Sequence, residues 1–101
     1  MKPNIPVLSI ELLGIVGTDA VAFANAQFSS DVRTLQDGQW QWSAWLDVRG
    51  RVRALMRLAR VDSEHLQALL CGGHATLLAD ALRPYVMRAK VTLQAHSPGF
   101  L

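Results

Sequence analysis

A chain of 101 residues that is 50% hydrophobic and 18% charged, with a net charge of +2, has the makeup of one folded domain with a modest core. That composition excludes an intrinsically disordered segment, and a lone cysteine, Cys71, excludes an internal disulfide framework and fits a reducing compartment. No apolar run reaches membrane-spanning length, and Met1-Lys2-Pro3-Asn4 lacks the apolar stretch of a secretion signal, so the cytoplasm is the expected compartment.

The first pattern in chain order is Val7 to Val16, rich in Ile, Leu and Val with Glu11 as its only charge, which reads as a mostly buried strand. Leu8, Ile10 and Leu12 share one parity and Leu13 and Ile15 the other, which predicts a bulge near Gly14. Gly17-Thr18-Asp19 opens a helix on which Ala20, Phe23, Ala24 and Gln27 form one stripe at helical spacing. Ser29-Ser30-Asp31 is a second cap signal, and Asp37-Gly38 is a turn.

The centre of the chain reads as a β-hairpin. Trp40, Trp42, Ala44 and Leu46 alternate on one side of Val48-Arg49-Gly50, and Val52, Ala54, Met56 and Leu58 alternate on the other. The two rows share a face only across an odd loop, so a three-residue loop with Gly50 at positive φ is expected. In that register Leu46 faces Val52, Trp42 faces Met56, Trp40 faces Leu58, and Asp47 lies opposite Arg51. Trp40 and Trp42 then belong to the core, with Trp45 opposite Arg53 on the other face, within cation–π reach.

Beyond the hairpin, His65 to Cys71 suits either a helix capped by Ser63 or a strand with Leu66, Ala68 and Leu70 inward; local signals favour the helix. Leu77, Leu78, Ala81, Leu82 and Tyr85 predict an amphipathic helix that Pro84 ends, Val91 to Gln94 a closing strand, and residues 95–101 a tail. The expected architecture is α+β: an antiparallel or mixed sheet with a central hairpin and helices packed on one face, all within a single domain over 1–101.

Five arginines between Arg49 and Arg60 beside three tryptophans suggest an RNA-contacting basic sheet, but the hairpin parity assigns two of the tryptophans to the core and argues against a nucleic-acid partner. Cys71-Gly72-Gly73-His74 offers at most two metal ligands, short of a closed site. There is no nucleophile elbow, no phosphate loop and no carboxylate pair suited to acid–base work. A half-apolar chain with few charges outside the arginine row is also expected to expose apolar surface and to associate, either with a second copy or with a further domain.

Three motifs, in order and at matching spacing, resemble one family. They are Gly17-x-Asp19-Ala20-x-x-Phe23-x-x-x-Gln27-x-Ser29-x-Asp31-Val32, then Asp47-x-x-Gly50-Arg51-Val52-x-Ala54, then Leu82-x-x-Tyr85-Val86-Met87-Arg88-Ala89-Lys90-Val91. Together they are similar to the front part of YgfZ-type folate-binding proteins, relatives of the glycine-cleavage T-protein aminomethyltransferases, over roughly residues 9–94. The resemblance implies a strand over His65 to Cys71, tetrahydrofolate bound in a central cavity, and a supporting role in iron–sulfur enzyme maintenance and tRNA modification. It implies ligand contacts for Gln27 and Asp31, with Asp31 as a helix cap the plainer reading. It implies the same for Asp47 and Arg51, otherwise a turn clamp, and for Arg88 and Lys90 toward a folate glutamate tail, otherwise a solvated edge. Two departures stand out. The first helix reads Phe23-Ala24-Asn25-Ala26-Gln27 where the family has Phe-Leu-Gln-Gly-Gln, and the family's later cysteine signature is not matched by Cys71. T-proteins also carry an acidic residue just after the turn glycine, where this chain has Arg51-Val52-Arg53. The expectation is therefore a non-enzymatic domain corresponding to the front third of a longer architecture.

Overall fold

A computed structural model describes residues 10–97. Five strands and two helices follow in the order β1 (Leu12–Val16), α1 (Ala20–Gln27), β2 (Trp40–Leu46), β3 (Val52–Asp62), β4 (His65–Gly72), α2 (Ala75–Leu82) and β5 (Thr92–His96). Single 3₁₀ turns at Val32–Thr34 and Arg83–Tyr85 follow the helices. Neighbouring strands are all antiparallel, in the order β2-β3-β4-β1-β5. The fold is α+β, with the helices packed on one face of the sheet.

Alternation decides which face that is. Leu13 and Ile15 of β1, Leu66, Ala68 and Leu70 of β4, and Ala54, Met56 and Leu58 of β3 are buried together with Phe23 and Ala24 of α1 and Leu78 and Leu82 of α2. Each fully buried Leu or Ile contributes about 1.5–3 kcal/mol of transfer free energy. The segment His65 to Cys71 is thus a strand rather than a helix. It pairs with β1 on one side and β3 on the other, and two ladders outweigh a local helical preference.

β1 runs without a bulge: Gly14 pairs in unbroken register with Gln67 and Gln94. The change of parity at Leu12/Leu13 needs no extra residue because the opposite face of the sheet is also apolar there, and Leu12 simply lies on it. Val7 to Ser9 fall outside the described residues. On α2 the expected stripe is only half right, since Leu78 and Leu82 are buried while Leu77 and Tyr85 are exposed. The helix stops at Leu82 and the 3₁₀ turn around Pro84 takes Tyr85 out of phase. β5 extends to His96, so Ala95 and His96 are strand rather than tail, and residues 98–101 lie outside the described span.

The hairpin turn has the expected form. Asp47 N–H donates to Arg51 O (2.9 Å), Gly50 N–H donates to Asp47 O (2.9 Å), and Gly50 has φ +79°. Leu46 pairs with Val52, but Trp45 pairs with Ala54 and Arg53 has no partner. This bulge overturns the expected register beyond it: Trp42 pairs with Arg57 and Trp40 with Ala59, not with Met56 and Leu58. One inserted residue sends every later side chain to the other face. Trp40 and Trp42 are therefore about half exposed on the side away from the helices, and Ser43 is the residue of β2 buried on the helix side. Ser30 Oγ donates to Gln41 Oε1 (2.6 Å) and lies 2.7 Å from Ser43 Oγ, so the buried hydroxyl has a partner. Ser29 partly covers the open edge of β2 by exchanging hydrogen bonds with Ala44 (2.9 and 3.0 Å).

Gly17 is where the start of α1 meets the chain entering β5. A Cβ there would sit 1.9 Å from Lys90 O, at φ +146°. Gly50, by contrast, has open space around its Cβ position. In urea denaturation, Gly17→Ala is expected to cost at least about 3 kcal/mol, and Gly50→Ala about 1 kcal/mol from its positive φ alone. Equal losses at the two sites would contradict this account of the backbone contact.

Candidate functional site

The β2–β3 hairpin is longer than the rest of the sheet. β4 ends where Gly72 pairs with Leu55, so residues 45–54 project past it. Gly73, at φ +94°, then reverses the chain into α2. The helix and the projecting hairpin enclose a trough of about 250 Å³, lined by Trp45, Arg53, Ala54, Gly73, His74, Leu77, Leu78 and Ala81. Its walls are mainly apolar, with the Trp45 ring on one side and two nitrogen-bearing side chains, Arg53 and His74, among the lining. Unpaired in the ladder, Arg53 is free to be aimed by the bulge into this space.

Glu11 braces the trough from beneath. Its Oε1 accepts from Ala75 N–H (2.7 Å) at the first residue of α2 and from Ser97 Oγ (2.6 Å) just past β5, and lies 3.9 Å from His74 Nδ1. The single charge of the β1 run thus satisfies a free donor at the helix start and favours the helix dipole. The Ser97 hydroxyl and the Ala75 N–H hold the Glu11 carboxyl below the ordinary glutamate range; burial opposes them, and the nearby His74 and His96 add a smaller lowering.

The residues singled out from sequence lie in three separate places. Gln27 is the last residue of α1, and Asp31 stands beyond the helix end. There its carboxylate accepts from Arg33 N–H (3.2 Å) and caps the 3₁₀ turn, so no continuous helix aligns the two. Asp47 and Arg51 form the turn clamp: the Asp47 carboxylate accepts from Arg49 N–H, Arg51 N–H and Arg51 Nε at 2.9–3.0 Å. The Arg51 N–H is the chief reason that carboxyl is held below the ordinary aspartate range. Arg88 and Lys90 are exposed in the segment before β5, at the opposite sheet edge from β2. There the Lys90 N–H, not its ammonium, donates to Asp19 Oδ2 (2.8 Å).

Arg53, Trp45 and His74 make a site that sequence reasoning missed, because it depends on a bulge with no local signature. The Arg53–Trp45 cation–π pair expected across the hairpin is replaced by Arg57, whose guanidinium carbon stands 5.4 and 5.2 Å from the Trp40 and Trp42 ring centres. Among the described residues no group of three or more His, Cys, Asp or Glu is placed to hold a metal, and no helix is long and apolar enough to cross a membrane.

Comparison with known proteins identifies the fold. No family model matches the chain. It is 30% identical over 92 residues to an uncharacterized protein of Haemophilus influenzae, an alignment covering 91% of this chain and 33% of that one. Its structure is similar to the glycine cleavage system aminomethyltransferase T from Bartonella henselae, with a TM-score of 0.79 and 20% identity over 87% of this chain and 24% of that one. The class is thus defined at the level of fold: the α+β arrangement found in aminomethyltransferase T. The chain spans about a third of the length of the curated relative it matches.

The Glu11 brace gives a pH prediction. A carboxyl whose folded value is depressed stabilises the fold above its unfolded value, near the ordinary 4.5, and that contribution is lost as pH falls through the folded value. Thermal melts should show Glu11→Gln less stable than the parent at pH 6–7, with the gap closing as the pH drops below about 4.5. A gap that stays constant down to pH 3 would remove the charge from the argument.

Proposed function

We propose that this chain is a folate-binding-type domain without aminomethyltransferase activity, equivalent to the front part of YgfZ-type proteins. The observation that carries the reading is the trough beside the Asp47–Arg51 turn, with a tryptophan wall and an arginine in its lining. The flat pyrimidinone half of a reduced pterin suits the Trp45 ring, and the guanidinium of Arg53 suits an anionic or carbonyl group on such a ligand. The aminomethyltransferase T likeness and the three motifs, the second of which is this turn, support the same reading.

The absence of catalysis follows from charge. T-protein chemistry uses an acidic group just after the turn glycine to activate the folate amine. The corresponding Arg51-Val52-Arg53 supplies cations, and an arginine accepts no proton at neutral pH. The role that fits a binding domain without turnover is the supporting one in iron–sulfur enzyme maintenance and tRNA modification that the YgfZ resemblance implies.

A trough of about 250 Å³ falls below the usual range of small-molecule pockets, so the affinity of the chain by itself is modest. Calorimetric titration with tetrahydrofolate should give a Kd of about 0.1–1 mM. Trp45→Ala and Arg53→Glu should each weaken binding by about tenfold. Aminomethyl-loaded carrier protein plus tetrahydrofolate should show no turnover. Tetrahydrofolate binding that ignores both substitutions would move the site elsewhere, and measurable turnover lost on mutating this region would overturn the non-catalytic reading.

A further inference from the structure

Among the described residues no element packs on the sheet face away from the helices, and two transverse rows of side chains cross the middle of that face. Following the pairing from β2 to β5, one row is Trp42, Arg57, Leu69, Leu12 and His96; the other is Trp40, Ala59, Gln67, Gly14 and Gln94. Trp40 and Trp42 are about half exposed and meet edge to face at 5.6 Å. Beside them Leu12, Trp40, Arg57, Ala59, Gln67 and Leu69 line a shallow hollow of about 300 Å³. Arg57 is the one residue of the two rows that is charged at every physiological pH, and its guanidinium is engaged by the two indole rings.

We propose that this face binds a second copy of the chain, sheet against sheet, about a two-fold axis running along β4. Charge distribution selects a protein occupant. Tryptophan and arginine are enriched and other charges depleted in protein interfaces relative to the rest of the surface, whereas a nucleic-acid surface needs several free cations to neutralise phosphates. Here Arg51 is paired with Asp47, Arg60 with Asp37, and Arg53 lines the trough on the helix side, which leaves Arg57 as the one arginine or lysine in the two rows among the described residues.

The order of the rows selects a second copy. β4 is the central strand, so rotation about it lays β2 over the partner's β5 and β3 over the partner's β1. Leu69 then meets its own copy on the axis, and Gln67 meets its copy with an amide that both donates and accepts. Arg57 lies over the partner's Leu12 rather than over another arginine, and the two tryptophans over the partner's Gln94 and His96. Every large group is thus matched without opposing like charges, as an isologous contact requires.

The area agrees with a weak dimer. Five strands about 4.8 Å apart, each contributing about 20 Å of length, present roughly 500 Å² per copy, or about 1,000 Å² in all, at the lower limit for a specific interface. This inference does not depend on folate binding, since the trough lies on the helix side of the sheet.

Sedimentation velocity across about 1–500 μM should show a monomer–dimer equilibrium with a Kd of tens to hundreds of micromolar. Leu69→Lys, which opposes two ammonium groups on the axis, and Trp42→Lys should each raise that Kd at least about tenfold while circular dichroism and melting stay close to the parent's. In a Cys71→Ser background, Leu69→Cys should form a disulfide-linked dimer on mild oxidation and Thr92→Cys, at the sheet edge, should not. A chain that stays monomeric at 500 μM would overturn the proposal. So would a dimer indifferent to Leu69→Lys but broken by Gln94→Pro, which would place the contact at the β5 edge. Binding of a labelled single-stranded RNA 12-mer at micromolar concentration, lost in Trp42→Lys, would replace it with a nucleic-acid surface.

Discussion

One unpaired residue in β3, Arg53, decides which side of β2 meets the helices. A strand alternates sides with a period of two, so a single insertion between the Leu46–Val52 and Trp45–Ala54 pairs exchanges the faces of all that follows. Ser43 goes to the core, Trp45 to the wall of the trough, and Trp40 and Trp42 to the outside. Each remaining feature of interest depends on that exchange. Without it the trough would lose its aromatic wall, and the outer face would lose both of its indoles.

The fold tolerates this because its core is built elsewhere. The buried rows of β1, β3 and β4 interlock with α1 and α2, and β2 adds little on the helix side beyond the small, hydrogen-bonded Ser43 and the partly buried Trp45. β2 is held instead by its ladder to β3 and by Ser29 and Ser30 along its free edge. A strand at the margin with little packing to lose is the part of a sheet where two tryptophans can be presented outward at low cost to stability.

Electrostatics in this molecule is mostly local fastening. Asp47 closes the turn, Asp31 caps the short 3₁₀ segment, Asp19 binds the backbone of Lys90, and Glu11 joins the start of α2 to the end of β5. Each carboxylate satisfies backbone N–H groups at a chain reversal, the positions at which the sheet and the helices leave donors without partners. Both acidic residues that looked like ligand contacts, Asp31 and Asp47, are therefore already committed. Arg53 and Arg57 are different, since each occupies a position where a second molecule can meet it.

The sequence by itself determined the α+β class, the odd three-residue turn with Gly50 at positive φ, the start of α1 just after Gly17-Thr18-Asp19 and the inward row of Leu66, Ala68 and Leu70 once a strand was assumed. All of these follow from contacts within a few residues or from simple alternation. It also carried, in three spaced motifs, a likeness to aminomethyltransferase-type proteins that the fold comparison supports at the level of architecture. Only the tertiary structure decided that His65 to Gly72 is a strand, because that choice rests on two neighbouring ladders and not on its own residues. Likewise, Gln27, Asp47 and Lys90 look like one set along the chain but lie apart in space, since α1 crosses the sheet and the hairpin projects from its end. The bulge at Arg53 was the least legible feature. Nothing in Arg51-Val52-Arg53-Ala54 marks an extra residue, and its position is set by the need to bring Ala54, Met56 and Leu58 over β4 while the turn keeps its own geometry.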